Sequence, residues 1–466
     1  MNLKNFIRAI VLKTNSVFPF NYLNKIPYHL AVRNFIKIFS PFKEIKSIYL
    51  RHGMSRKNWV PAVSDIDLTV IIDSNLSEKQ EYDFLKSFWM KFEKLKKIFP
   101  MIGEVDILNE NEIGTWTKFT IRGYETREWK LLYGEKIVKS NYKVDKTLLA
   151  VDSLNFAITN YLEYFLPKFY SDENSDFISS AELARLTNKI LRYSGTSLEQ
   201  KLPTGESELL YLVINGLESS IKSIELPVET NENIFKQEIF SIEPYTEDFK
   251  SESRKIDLTG LEAIKDKIDS FIISYTFRFI VLKENLTSEE EISCLQMIKD
   301  VFGRSDDKPI ILTFMTFEYL LRIYNPFIYS QFLDARINLI GEDVFKKIKP
   351  PDSYYYKKSL LEETNNIFLF PYKKSLIQTK SIKNFIRNGF ESEIRRGLFL
   401  KLYLEKSLIE PGYNNCLNEC KKVFPHYIQK INELTKNYNT DDSNQLSFKT
   451  YNLLKTFSSE INNSLN

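Results

Sequence analysis

Apolar residues recur at helical spacing over residues 25–48 (Ile26, Leu30, Phe35, Ile36, Phe39), and Pro41 closes the run. SIYLRHG then reads as a strand ending in Gly53. A loop with Pro61 leads to DIDLTVIID, a second strand rich in β-branched residues. LSEKQEYDFLKSFWMKFEKLKKIF has a helical pattern, with Ser77 as N-cap and Glu78 and Glu81 in its first turns. GEVDIL predicts a third strand, and residues 115–138 a short helical stretch ending in LLYGEKIV. This alternation over residues 25–140 predicts a compact α/β or α+β domain.

Residues 148–200 read as helical (LLAVDSLNFAITNYLEYFLPKF, then SAELARLTNKILRYSG), with Gly195 as a stop. Residues 200–260 mix turn residues, acids and Pro, and read as a connecting region with some local structure. The second half echoes the first. FRFIVLKENLTSEEEISCLQMIKDVF matches DLTVIIDSNLSEKQEYDFLKSFWMKF in its strand, Asn-Leu turn, acidic helix start and amphipathic helix, and NLIGEDVF echoes LLYGEKIV. An internal duplication accounts for this pattern and for the length; chance similarity of two strand–helix units is the alternative.

Composition narrows the picture. The 466 residues are 43% hydrophobic and 27% charged, which excludes wholesale disorder. Lys and Arg (64) nearly balance Asp and Glu (61), and a net charge of +3 argues against non-specific coating of nucleic acid. Gly (14) and Pro (16) are sparse while Phe (35) and Tyr (26) abound, favouring large cores and long helices. Three cysteines form no disulfide framework; Cys416 and Cys420, four apart, read as core residues rather than metal ligands, since only His29, His52 and His426 could join them. No signal peptide is evident, and SFIISYTFRFIVL is short and interrupted by Arg278, so the chain reads as soluble and cytoplasmic, with no membrane partner.

The chemistry concentrates in RHGMSRKNWVPAVSDIDLTVIID. Asp65 and Asp67, two apart on a strand, project from one face, with Ile66 and Leu68 opposite. Adjacent carboxylates repel unless a cation lies between them, and hard oxygen ligands suit Mg²⁺ beside substrate phosphates. Asp106, with Glu104 on its face, offers a third carboxylate on the next strand. Gly53 lets backbone N–H groups approach a phosphate; Ser55, Arg56 and Lys57 follow, the two cations divided between phosphate contact and a solvated loop. A general-base role for His52 is disfavoured, because the carboxylates already account for nucleophile activation. Arg122 and Arg127 read as surface salt-bridge partners.

Gly53, Ser64-Asp65-Ile66-Asp67-Leu68 and Val105-Asp106-Ile107 resemble, in order and spacing, the nucleotidyltransferase superfamily typified by DNA polymerase beta, and within it the minimal and antibiotic-modifying enzymes. The likeness covers residues 45–110; Met54 stands where the family has Ser, with Ser55 one position on. It implies an α+β fold, a nucleotidyltransferase-type mixed sheet with helices plus a helical domain, and the internal echo adds a duplicated, degenerate second copy. The implied divisions are 1–145 (catalytic), 146–205 (helical), 206–260 (connecting), 261–350 (degenerate copy) and 351–466 (helical). It also implies an NTP substrate, most naturally ATP, and two Mg²⁺ ions, with Mn²⁺ as a substitute, on Asp65, Asp67 and Asp106. Asp106 would help activate an acceptor hydroxyl for attack on the α-phosphate. Gly53, Ser55, Arg56 and Ser64 would lie against the nucleotide, and Lys189, on the following helical segment, would reach a phosphate or remain an ordinary exposed lysine.

Where the second half echoes Asp65 and Asp67 it reads Tyr275-Thr276-Phe277, and PIILTF has no carboxylate for Asp106. The second copy would therefore lack a metal site. Tyr354, Tyr355, Tyr356, Phe368 and Phe370 could line an acceptor site or pack a core, and the basic stretch 373–397 (Lys373, Lys374, Lys380, Lys383, Arg387, Arg395, Arg396) could guide a polyanion or form a solvated face. Three functional readings follow: nucleotidyl transfer to a small-molecule or protein hydroxyl; polymerisation or tailing of RNA or a second nucleotide; and a scaffold with a vestigial site. The near-neutral charge disfavours a nucleic-acid acceptor.

Overall fold

The computed structural model describes residues 3–113 apart from Asn58, 126–138, 146–196 apart from 172–176, 202–224, 258–351 apart from 275–276, 306–307, 327, 330–331 and 333–335, Tyr355, 420–436 and 443–465. In chain order the main elements are α1 (Leu3–Thr14), α2 (Ile26–Phe39), β1 (Ile45–Leu50), β2 (Ile66–Ile72), α3 (Glu78–Ile98), β3 (Ile102–Asn109), β4 (Lys130–Gly134), α4 (Lys146–Asn160), α5 (Phe177–Tyr193), α6 (Glu206–Ser223), β5 (Ile268–Ile273), β6 (Arg278–Leu282), α7 (Ser288–Phe302), β7 (Ile310–Thr313), β8 (Ile337–Gly341), α8 (Pro425–Lys436) and α9 (Ser443–Leu465). The class is mixed, helices with two small sheets, as the alternating pattern leads one to expect. The chain divides into two compact units: one holds the described residues up to 138 together with those from 420 onward, the other holds 146–355.

The first unit is built on a four-stranded sheet in the order β3-β2-β1-β4. β1 runs antiparallel to β2 and β4, while β3 is parallel to β2, so the chain must cross between them through α3. Ser77 caps α3 by accepting from the Gln80 amide, and the Gln80 side chain returns to the Ser77 amide, a complete capping box. The helix joins an aromatic cluster: Phe39 and Phe88 ring centroids lie 4.2 Å apart, and Phe35 and Phe39 4.5 Å apart. Its N-terminal end packs on α9, with Tyr82 against Phe448 and Tyr451, and Lys455 reaches Glu81 at 3.0 Å and Glu112 at 3.2 Å. The opposite sheet face carries a smaller core of Tyr49, Ile71, Leu108, Ile113 and Val138.

The second unit has a sheet in the order β7-β6-β5-β8 with the same strand senses. Register shifts fall between Ile268 and Ser270 and between Phe271 and Ile272; in the first sheet they fall between Ile45 and Ser47 and between Ile48 and Tyr49. Each outer strand ends in a positive-φ glycine, Gly134 (φ 81°) or Gly341 (φ 72°), where any Cβ would overlap the carbonyl of Lys46 or Asp269. α7 is capped by a Thr287–Glu290 box in the place of Ser77–Gln80. One apolar core joins this sheet to α4, α5 and α6, and the buried Tyr170 hydroxyl donates to the Pro309 carbonyl at 2.8 Å.

Several local expectations change. The strand before Gly53 ends at Leu50, and His52–Ser55 is a helical turn. LLYG is the outer strand β4 rather than the end of a helix, because the free edge of β1 supplies its pairing, a non-local cause. Within residues 206–260, expected as a connection, α6 is a core helix burying Leu209, Leu210, Val213, Ile214 and Leu217; Pro203 and Gly205 precede it rather than break it. The helices over 146–193, read as companions of the first sheet, belong with α6 to the second unit's core. Gly195 does terminate α5, with φ 76° and the Thr196 amide bonded to the Leu191 carbonyl at 2.9 Å. Cys294 and Cys420 are buried, and Tyr355 packs in the second core. Cys416, Arg122, Tyr275, Thr276, Tyr354, Tyr356, Phe368, Phe370 and the stretch 373–397 lie outside the described residues.

Candidate nucleotide and metal site

Asp65 immediately precedes β2 and is exposed; Asp67, the second residue of that strand, is half-buried. Ile66 between them and Leu68 after them are fully buried, so strand alternation turns the two carboxylates to the other face. In the parallel pairing of β2 with β3, Asp106 stands opposite Thr69, which in turn stands opposite Tyr49 of β1. Asp65, Asp67, Glu104 and Asp106 thus border one end of one sheet face. Gly103 makes this close approach feasible: a Cβ there would lie 2.6 Å from Asp65 Cβ and 3.1 Å from Asp67 Oδ1. The Glu104 amide donates to Asp67 Oδ1 at 3.3 Å.

Arg51, one residue beyond β1, is fully buried against this group. Its Nη1 is ion-paired with Asp106 Oδ2, its Nη2 lies 3.4 Å from Glu104 Oε2, and its guanidinium lies 5.8 Å from the Trp129 ring centroid. The Arg51 amide donates to the Asp67 carbonyl at 2.9 Å, tying β1 to β2. Burial pushes the Asp67 carboxyl above its ordinary range; Arg51 opposes this, while Asp65 and Glu104 add to it. An anionic group already crowded by two further carboxylates gains from a bound cation, which is the test a metal site must pass. Asp65, Asp67 and Glu104 meet it in donor chemistry; Asp106 is closed by Arg51. Among the described residues no set of three His, Cys, Asp or Glu side chains is gathered as a metal cage.

The loop from Arg51 to Asp65 holds all the positive-φ non-glycine residues of the described chain: His52 (φ 52°), Lys57 (φ 63°) and Ala62 (φ 70°). Such backbone persists only where surroundings enforce it, and it concentrates at functional sites. Here Arg8 Nε of α1 donates to the Ala62 carbonyl at 3.0 Å, and the Ala62 amide donates to the Tyr28 hydroxyl of α2 at 2.8 Å. The Trp59 ring packs 4.7 Å from Tyr28. Met54 is buried, which explains an apolar residue where the resemblance calls for serine. The Ser55 hydroxyl donates to the His52 carbonyl at 2.8 Å, and Ser64 Oγ accepts from the Val60 amide at 2.9 Å. Arg56 is ion-paired with Glu128. Gly53 sits half-buried in the turn. Lys189 lies on α5 of the second unit, its ammonium 4.9 Å from the Phe156 ring centroid.

The structure therefore gathers Asp65, Asp67, Asp106, Gly53, Ser55, Arg56 and Ser64 in the first unit and assigns Lys189 to the second. Sequence reasoning missed Arg51, Gly103 and the Arg8–Tyr28 brace. A signal for Arg51 did exist: a cation directly after the apolar run Ile48-Tyr49-Leu50, two residues after Tyr49 and so on the same face. Compared with family models, curated proteins and solved structures, the chain has no match.

Proposed function

We propose that the first unit is a Mg²⁺-dependent nucleotidyltransferase that moves NMP, most naturally AMP, from an NTP to an acceptor hydroxyl. The observation that carries this reading is the joint placement of a Gly53 turn, a braced loop, Asp65 and Asp67 at the head of β2, and Asp106 on the parallel neighbour. Asp65 and Asp67 would hold the metal, with Mn²⁺ a substitute; bound, it supplies neutralisation of phosphate charge. Backbone groups of the turn at Gly53, with Ser55, Arg56 and Ser64, would lie along the phosphates. Lys189, which belongs to the second unit, is given no part in this site. Asp106 would take the proton of the acceptor hydroxyl, whose oxygen forms the new bond to the α-phosphorus as the bond to pyrophosphate breaks. For that, Asp106 must exchange its guanidinium partner.

The fold behind this reading is a nucleotidyltransferase sheet followed by a degenerate copy. Its support is the shared strand order, matching register shifts, matching capping boxes and matching terminal glycines. The copy replaces the long Arg51–Asp65 loop with a turn closed by the Ser274 amide on the Phe277 carbonyl at 2.8 Å, and puts Ile310 where β3 has Asp106. The Arg51–Asp106 ion pair favours a second reading, a scaffold with a vestigial site.

Each α-labelled NTP, incubated with Mg²⁺ and extract fractionated into protein, RNA and small molecules, separates the possibilities. Label in protein or small molecules, lost in Asp65→Ala/Asp67→Ala, supports single transfer. Label in RNA replaces it with tailing, and no label anywhere supports the scaffold.

A further inference from the structure

The N-terminal helices carry a feature the nucleotidyl chemistry does not use. Phe6, Ile7 and Ile10 of α1 are exposed, as are Phe18 (78%), Phe20 and Leu23 in the segment joining α1 to α2. Ile26 and Leu30, on the first turns of α2, are exposed at 48% and 43%. Isolated exposed apolar residues are ordinary, but this many within residues 6–30, with the Phe18 and Tyr22 rings 6.1 Å apart, mark a surface that meets something else.

The charge of the same segment indicates what it meets. Lys4, Arg8, Lys13, Lys25, Arg33 and Lys37 fall before the first acidic residue of the chain, Glu44. With a total of only +3, the rest of the protein is net acidic, so the cationic character is concentrated in the segment that also exposes apolar side chains. Cations around aromatic and aliphatic residues suit the interface of an anionic bilayer, where the apolar groups enter the acyl boundary and the cations meet headgroups. RNA would also attract the cations, but Ile7, Ile10, Leu23, Ile26 and Leu30 offer a nucleobase no stacking face. No helix among the described residues is long and apolar enough to cross a membrane, so the association is peripheral.

We propose that α1, the 15–25 segment and the start of α2 form a peripheral docking surface for a membrane rich in anionic headgroups. The surface is mechanically joined to the candidate site: α1 and α2 are the helices whose Arg8 and Tyr28 hold Ala62 of the strained loop. Docking therefore presents that loop near the bilayer.

The test is flotation of the full chain with phosphatidylcholine–phosphatidylglycerol vesicles and with pure phosphatidylcholine vesicles. The proposal predicts flotation with the anionic vesicles only, weakened by salt. Lys4→Glu/Lys13→Glu lowers the partition coefficient about tenfold or more, and Phe18→Ser/Phe20→Ser does likewise with an unchanged circular dichroism melt. Absence of flotation with anionic vesicles overturns it. So does flotation of either variant equal to that of the wild type, a dimer in light scattering that Phe18→Ser/Phe20→Ser abolishes, or single-stranded RNA binding that survives loss of the apolar residues while flotation is nil. The readout needs no nucleotide, so it stands or falls apart from the transferase reading.

Discussion

Removing Arg51 perturbs the centre of the candidate site in a way whose size can be worked out. Arg51 and Asp106 have side-chain exposures of 0% and 1%. Deleting one member of such a pair leaves the other buried and uncompensated, which costs about 3–5 kcal/mol. Arg51→Met keeps volume but strands Asp106, and it also forfeits the guanidinium–Trp129 contact, about 0.5–1 kcal/mol. Asp106→Asn is milder, about 2–3 kcal/mol, because Glu104 still faces the guanidinium. In Arg51→Met/Asp106→Asn neither charge remains, and the loss is about 1–2 kcal/mol, so the cycle yields a coupling of about 3 kcal/mol or more. All four tryptophans (Trp59, Trp89, Trp116, Trp129) lie in the N-terminal third of the sequence, so their fluorescence in urea reads the first unit without the second. A further arm adds Mg²⁺: it stabilises Arg51→Met more than wild type, since the freed Asp106 joins the donor set. The reasoning is refuted if Arg51→Met costs under about 1 kcal/mol, or if the double variant loses the sum of the singles.

Three other perturbations have defined outcomes. Asp67→Asn raises the midpoint of thermal unfolding at neutral pH while removing any Mg²⁺-induced shift, because burial and its acidic neighbours disfavour the ionised carboxylate that metal binding requires; a lower midpoint contradicts this. Gly103→Ala costs about 1–3 kcal/mol in stability and weakens MgATP binding about tenfold, because its Cβ would meet Asp65 at 2.6 Å and displace that carboxylate; unchanged affinity by calorimetry contradicts it. Glu291, the α7 counterpart of Glu81, is pushed up to about 7 by burial, with the Asn215 amide opposing the shift and Glu218 adding to it. A carboxyl raised in the folded state binds more protons there, so stability is complete below about pH 4.5 and declines as pH rises to about 7. Discounted for partial solvent contact the decline is about 1–2 kcal/mol, and Glu291→Gln flattens it in urea titrations across that window.

What was legible in the sequence was local. β1, β2, β3 and α3 announce themselves by alternation, periodicity and the Ser77 cap, and the same signals mark β6 and α7. Asp65 and Asp67 stand out because two charges interrupt a run whose other members are all core residues. β4 and β8 were not legible, since each exists by pairing with the outer edge of β1 or β5 and turns on a glycine whose φ no pattern reveals. α6 was hidden behind Pro203 and Gly205, and its true assignment depends on which sheet covers Leu210 and Leu217. Arg51 was missed because a cation at a strand end ordinarily meets water, and only the parallel register of β2 with β3 brings Asp106 against it.

The most direct test of the transferase account is calorimetric titration of ATP into the full chain with Mg²⁺, with EDTA, and into Asp65→Asn/Asp67→Asn with Mg²⁺. The account predicts binding in the first case and loss of at least about tenfold in affinity in the other two. Equal ATP affinity in all three, or no binding in any, would contradict a metal-dependent nucleotide site at the head of β2.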